Sequence, residues 1–278
     1  MPHSEGELSG DVVPGRVRGA LRVLRAFWAA NLAEELEYRA NLIGAVLGTV
    51  FNIAIAVLTA AVFFRQAAEL GGWGFWEVVV LLGVFNAVAG VVEALFRPNI
   101  GRLVEHVREG TLDLILAKPV DAQLVVSFRR LVIWRGADIV LGLALSGYAL
   151  ARLGVLPGPL ELLAWTVSLA AAVALVYAVW LSLMSLAFWF VAVENLAVLF
   201  DAVYEAARFP VTAYPAALRY LFTTLLPIAW ITTVPAGALT GRVGAGTALA
   251  SAAIALAALA IARLIWRTAL SKYTSAGG

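Results

Sequence analysis

The stretch Glu194-Asn-Leu-Ala-Val-Leu-Phe-Asp-Ala-Val-Tyr-Glu-Ala-Ala-Arg-Phe209 decides how many times this chain crosses a membrane. It is helix-friendly, and Asp201, Glu205 and Arg208 recur at spacings of four and three, so one helical face carries all three. Hydropathy alone favours a surface helix, because a charge at the bilayer centre costs about 2.5–3.5 kcal/mol on insertion scales. The rest of the chain reverses that reading.

Hydrophobic residues make up 62% of the chain and charged residues 14%. The mean hydropathy is +0.91. An ordinary soluble domain has roughly 45–50% apolar and about 25% charged residues. A soluble core this apolar would lack a polar shell, so membrane spans are the simplest cause. Five runs near the roughly 20 residues needed to cross the hydrocarbon core fall at about 40–64, 76–96, 131–153, 160–188 and 245–267. The apolar stretch from Leu160 to Val193 is too long for one straight span; it either tilts or ends near Trp189. The short loop from Arg65 to Phe75 makes the first two spans a hairpin, with Trp73 and Trp76 suited to the interfacial aromatic belt.

Cation placement gives the orientation. Arg16, Arg18, Arg22, Arg25 and Arg39 precede the first span. Arg97, Arg102, Arg108, Lys118, Arg129 and Arg130 follow the second, and Arg263, Arg267 and Lys272 close the chain. The opposite loops offer Arg65, Arg152, Arg219 and Arg242. Both termini and the long loop are therefore expected in the cytosol, which requires an even number of crossings. Residues 192–210 then become the fifth span, running outward. Pro210, Pro215, Pro227 and Pro235 cut the segment after it into half-span pieces, expected as outer re-entrant helices over 211–241.

The expected architecture is all-α: a polytopic membrane protein with six transmembrane helices within residues 40–267 and a cytosolic segment at 98–120. Residues 1–15 read as a flexible cytosolic tail without signal-peptide character, and 268–278 as a second tail. Residues 16–39 read as an interfacial amphipathic helix, with Leu21, Leu24, Trp28 and Leu32 on one face and Arg18, Arg22 and Arg25 on another.

Much chemistry is excluded. The chain has no cysteine, and its two histidines, His3 and His106, lie outside the apolar runs. Thiolate sites, metal sites and catalytic residues are not expected. A net charge of +2 gives no reason to expect a nucleic-acid partner. No phosphate-binding loop occurs, so the chain is expected to bind no cofactor and to hydrolyse no ATP itself. Ser146 precedes a glycine within a span, but no histidine base accompanies it. Glu93 with Arg97, and Arg135 with Asp138, read as local ion pairs. The Asp201, Glu205 and Arg208 face should avoid lipid, lining either an interface or a substrate path. Gly83, Ala87 and Gly90, and Gly44 and Gly48, are small enough for close helix packing.

Residues 99–119 form the richest polar region. Leu103, Val107, Leu112 and Leu116 give a partial apolar face, with Arg102, Glu105, His106, Arg108 and Glu109 expected exposed. The pattern predicts two short helices bent at Gly110, with Thr111 capping the second and Asp113 in its first turn. An inter-span loop needs far fewer residues, so this one reads as a docking surface.

The string Glu109-Gly-Thr-Leu-Asp-Leu-Ile-Leu-Ala-Lys-Pro-Val120 resembles the hallmark loop of the ABC-2 type transporter permeases, particularly a bacterial branch. Phe209-Pro-Val-Thr-Ala-Tyr-Pro215 and Leu225-Leu-Pro-Ile-Ala-Trp230 resemble outer-side segments of that family. The resemblance implies a bacterial inner-membrane permease, dimeric with itself or a related permease. It also implies two cytosolic ATPase subunits that hold ATP and Mg. Glu105, His106, Arg108, Glu109, Gly110, Thr111, Leu112 and Asp113 are then expected to dock on the ATPase and transmit force. Pro210, Tyr214, Pro215, Pro227, Trp230 and Pro235 are expected to form an outer gate. An ion-coupled secondary transporter would need a midplane ion site and usually repeats, and no internal repeat is visible. A membrane scaffold without transport activity is the other alternative.

Overall fold

The structure is a computed structural model and describes residues 23–33, 35, 39–118, 120–190 and 193–273. The expected tail 1–15, part of the expected interfacial helix, Pro119 and residues 274–278 lie outside the described residues. Among those described, the architecture is all-helical. Residues 23–33 form α1. They are followed by α2 (Arg39–Phe64), α3 (Phe75–Val91), α4 (Arg97–Ile100), α5 (Leu103–Arg108) and α6 (Asp113–Leu116). Then come α7 (Ala122–Phe128), α8 (Gly136–Leu153), α9 (Pro159–Ser185), α10 (Val193–Tyr204), α11 (Ala216–Tyr220), α12 (Thr233–Leu239) and α13 (Ala245–Lys272).

The helix ends follow from local chemistry. The Glu77 carboxylate accepts from the Gly74 amide at 2.7 Å, closing the start of α3. Gly154, with φ +70°, ends α8 in the left-handed region where a Cβ is penalised. Pro159 opens α9 at a first-turn position, where its missing N–H costs nothing. The long 160–193 stretch resolves the same way: α9 tightens into a 3₁₀ turn at Leu186–Phe188 and stops.

α3 is the central helix. Its apolar stretch is 78% buried inside the protein, against 17% for α2 and 22% for α13. Lipid is as apolar as leucine, so such packing depends on close approach rather than on the hydrophobic effect. α3 meets α8 through glycine: a Cβ on Gly83 would lie 2.5 Å from the Gly142 carbonyl, and one on Gly142 would lie 2.6 Å from the Gly83 carbonyl. Gly90 is equally tight against Ile139. Gly44 and Gly48, on α2, have nothing within 4 Å of a Cβ. These two sets of small residues therefore differ: one seals a helix pair and the other stands open.

Among the described residues five helical stretches are long and apolar enough to cross a membrane: Asn41–Phe64, Phe75–Arg108, Ile133–Leu153, Pro159–Phe188 and Ala245–Lys272. The 193–208 helix is not among them, having twelve α-helical residues and a four-residue 3₁₀ turn. The sixth candidate by length and composition is the pair Ala216–Thr224 and Ile228–Leu239, bent by 70°. Contacts show where these pieces run. The start of the bent pair adjoins Thr212 and Ala213, whose backbone fills the space beside Gly71 in the 65–74 hairpin. At its other end Ala238 packs with Ala164 and Ala248, near the starts of α9 and α13. The bent pair therefore leaves and returns to one face, the hairpin face. α9 ends on the opposite face, where Phe188 meets Trp266 and Tyr273 at the end of α13. The chain returns to the hairpin face through residues 193–209: Phe200 stacks on Trp180 near the end of α9, and Phe209 meets Phe63 at the end of α2.

The prolines of the 210–241 segment divide unevenly. Pro215 and Pro227 stand immediately before short helical pieces, and Pro210 precedes a 3₁₀ turn. Pro235 breaks nothing. It sits in the first turn of α12, where no intrahelical acceptor is lost, and the interruption falls instead at Thr232, which caps α12.

Because Gly83 and Gly142 admit no side chain, Gly83→Val and Gly142→Val should each destabilise the protein by about 1–3 kcal/mol through overpacking. Gly48→Ala should leave it unchanged. Thermal unfolding in detergent reads all three.

Candidate functional site

A cavity of about 960 Å³ lies among α2, α3, α8, α9 and α10, and its lining is unusually charged for a membrane bundle. Its origin is local. Pro98 cannot donate to the Ala94 carbonyl, which accepts instead from the Val132 amide at 3.0 Å. The turn before it widens into a π-helix over Val92–Phe96, with the Arg97 amide reaching back to the Val92 carbonyl. Such π-turns change which side chains face a given side. Here Glu93 and Arg97 both line the cavity.

From that point a chain of ion pairs crosses the cavity wall. Arg97 Nε lies 3.0 Å from Glu93, and its other nitrogen 2.7 Å from Asp201 on α10. Arg135 lies 3.7 Å from Glu93 and 3.4 Å from Asp138. Asp138 in turn accepts from the Thr49 hydroxyl on α2. The pairs read from sequence as local are thus members of one inter-helix network. On the same wall Arg208 pairs with Glu205 and sits 4.9 Å from the Phe85 ring centroid. All three sequence-predicted residues, Asp201, Glu205 and Arg208, line the cavity. Sequence reading missed Thr49, Asn52, Asn86, Trp134 and Trp180 as lining residues. Asn52 and Asn86 were visible as amides inside apolar runs. Trp134, Trp180 and Tyr204 each present a buried donor without a protein acceptor among the described residues. Buried donors are satisfied by water or by solute when protein does not serve, so the cavity suits a hydrated or polar group.

The 98–120 segment sits on the face opposite the hairpin. It has the two predicted helices, α5 and α6, with Gly110 between them at φ +69°. Two details differ from expectation. Thr111 does not cap α6; Leu112 occupies that position, and the Thr111 hydroxyl bonds His106 Nδ1 at 2.8 Å. His106 is consequently half-buried rather than exposed. Leu103 and Leu112 are fully buried beneath the segment, while Leu114 is 71% exposed at the tip of α6. Glu105, Arg108, Glu109 and Leu114 point outward, a mixed polar and apolar surface.

The stretch that follows this segment, residues 121–128, is anchored to α9, α1 and α13. Tyr177 of α9 takes the hydroxyl of Ser127 and the amide of Gln123 at 2.9 Å each, and its ring lies 5.1 Å from Phe96 and 5.7 Å from Phe128. Trp28 of α1 donates to the Phe128 carbonyl at 2.7 Å. Asp121 accepts from the Gln123 amide at 2.9 Å, capping α7, and pairs with Arg263 of α13. Chiefly through that guanidinium, the Asp121 carboxyl is held below its ordinary 3.8.

On the hairpin face two of the expected gate residues bond nearby backbone carbonyls. Tyr214 donates to the Ala206 carbonyl at 2.9 Å, and Trp230 Nε1 to the Thr223 carbonyl at 3.0 Å. Thr232 and Thr233 bond the Ala207 carbonyl and the Val211 amide at 2.6 and 3.1 Å. Arg242 joins Glu77 at 2.6 Å and the Gly72 carbonyl at 2.7 Å. Among the described residues no group of His, Asp or Glu is arranged to hold a metal ion.

Residues 50–277 match the family model described as ABC-2 family transporter protein. No curated protein matches the chain, and no solved structure does.

Two outcomes follow from this geometry. The natural chain has no cysteine. Gly48→Cys and Asn52→Cys should therefore react with a small water-soluble maleimide faster by more than about tenfold than Val80→Cys or Ala172→Cys, which are sealed in the core. The Asp121–Arg263 pair should stabilise the protein fully above pH 4 and lose that contribution as pH falls through the lowered Asp121 value. Wild type should therefore exceed Asp121→Asn in thermal stability at pH 7, with the gap closing toward pH 3.

Proposed function

This chain belongs to the ABC-2 family of transporter proteins and is a membrane permease component, and from that premise we propose that it forms, as a dimer, the path of an ATP-driven exporter. In this reading the face carrying α5 and α6 is cytosolic, as are both termini, and the hairpin face is external. Energy comes from two separate ATPase subunits, which hold ATP and Mg; this chain supplies no phosphate loop.

The observation that carries the proposal is the construction of the 98–120 segment. Its outer surface offers Glu105, Arg108, Glu109 and a protruding Leu114, while its inner surface buries Ile100, Leu103, Val104, Leu112 and Ile115 in the core that α3 and α9 share. A partner that pushes on α5 and α6 moves the long helices as rigid bodies, because their packed interface transmits displacement. Those helices wall the cavity, and its ion pairs are the contacts that must slide. Its polar lining suits the polar end of a cargo. The short pieces from Pro210 to Gly241 form the external closure, held by side-chain to backbone hydrogen bonds.

The open face of α2 supports the dimer reading. Ile43, Leu47, Phe51 and Leu58 are about two-thirds exposed, and Gly44 and Gly48 border the cavity beside them. A second permease set against α2 closes the cavity wall that one copy leaves open.

Gly110 has a positive φ, which proline cannot adopt. Gly110→Pro and Glu109→Lys should each lower transport-coupled ATPase activity by more than about tenfold, a coupling change near 1.4 kcal/mol. Membrane insertion and α-helical content should be unchanged. Normal coupled turnover in both variants would remove the assignment of this segment.

A further inference from the structure

A second cavity, of about 350 Å³, lies on the cytosolic side between α1, α4, α5 and α7. Its polar lining holds three cations, Arg102, Arg129 and Arg130, with His106, Asn31 and Asn99, and no carboxylate among the described lining residues. Among the described residues no carboxylate pairs with Arg102 or Arg130, although ion pairs elsewhere engage Arg97, Arg135, Arg208, Arg242 and Arg263. Arg129 lies 5.4 Å from the Phe27 ring centroid.

The backbone around these cations is fixed in advance. Asn99 donates to the Arg130 carbonyl and accepts from the Arg130 amide, both at 2.7 Å. Asn31 of α1 donates to the Arg129 carbonyl at 3.1 Å. The cavity floor is apolar, formed by Ile115, Val125 and Val126. Three guanidinium groups over an apolar floor, beside an amphipathic helix at the membrane surface, match an anionic phosphate with an acyl-bearing stem.

We propose that this cavity is a binding site for an anionic phosphate group, supplied by the headgroup of an inner-leaflet phospholipid. Guanidinium forks bind phosphate oxygens in pairs, which a zwitterionic headgroup satisfies poorly because it brings its own cation. Arg102 immediately precedes α5 and Arg129–Arg130 follow α7. The occupant therefore bridges the docking segment to α1, and its presence sets how firmly α5 is held. The choice of leaflet rests on the orientation proposed above; the site itself is separate from the charged cavity, and lipid retention tests it apart from transport.

The test is native mass spectrometry of the purified full chain in detergent, titrated with phosphatidylglycerol or phosphatidylcholine at equal concentration. Wild type should retain phosphatidylglycerol about tenfold more strongly, and Arg102→Gln/Arg130→Gln should abolish the preference. Arg65→Gln/Arg152→Gln, on the opposite face, should leave it intact. Because Arg102 is exposed, Arg102→Gln alone reads the same effect if the double variant aggregates, with about a threefold loss. Competition by millimolar inorganic phosphate separates the sources. Displacement of the lipid means the site reads phosphate itself from either source, and resistance means it reads the headgroup with its stem. Equal retention of the two lipids by wild type, or a preference that survives the arginine substitutions, overturns the proposal.

Discussion

The ion pair between Arg97 and Asp201 is the contact on which the rest of this bundle depends. A bilayer cannot solvate a carboxylate, so a helix carrying Asp201 and Glu205 crosses only if protein supplies counter-charge. Arg97 supplies it at 2.7 Å from the end of α3. It is in position because Pro98 forces the preceding turn wide. Without that pair α10 would lose its charged tie to the end of α3, and the charged wall of the cavity would open. Half-exposed pairs of this kind are poor sources of net stability, because solvent screens most of the attraction. Their value here is geometric: they specify which helix faces which.

The two faces of the molecule are built on different principles. On the hairpin face, polar side chains close onto backbone groups of short, interrupted helices, as irregular backbone at membrane depth requires. On the opposite face, aromatic rings around Tyr177 and the Asp121–Arg263 pair fuse small helices to long ones. The first arrangement tolerates rearrangement of a few hydrogen bonds. The second carries displacement without dissipating it. Between them α3 and α8 are pressed together at glycines.

Much of this was legible in the sequence because apolar length and proline position are local signals. The five long helices, the hairpin after the first, and the bend at Gly110 could be read directly. The charge count pointed to a crossing by 192–210, but the helix over 193–208 is not among the stretches long and apolar enough to span. What could not be read was pairing across distance. Glu93 and Arg97 looked self-sufficient at a spacing of four, yet Arg97 also reaches Asp201, 104 residues away. Thr111 had the right residue type for a cap, but His106 competed successfully for its hydroxyl. Pro235 looked like a break because composition does not tell a first-turn proline from an interior one. Leu114 gave no signal, since its exposure depends on which face of α6 its neighbours bury.

The central claim is that this permease is driven by a separate ATPase seated on α5 and α6. The most direct measurement is affinity purification of a tagged copy from its native membrane in mild detergent, with quantitative mass spectrometry of co-purifying chains. The account predicts a soluble ATPase at one copy per permease, released by Asp113→Lys. Recovery of the chain alone as an intact oligomer, with no ATPase at any detergent concentration that preserves the oligomer, would contradict it.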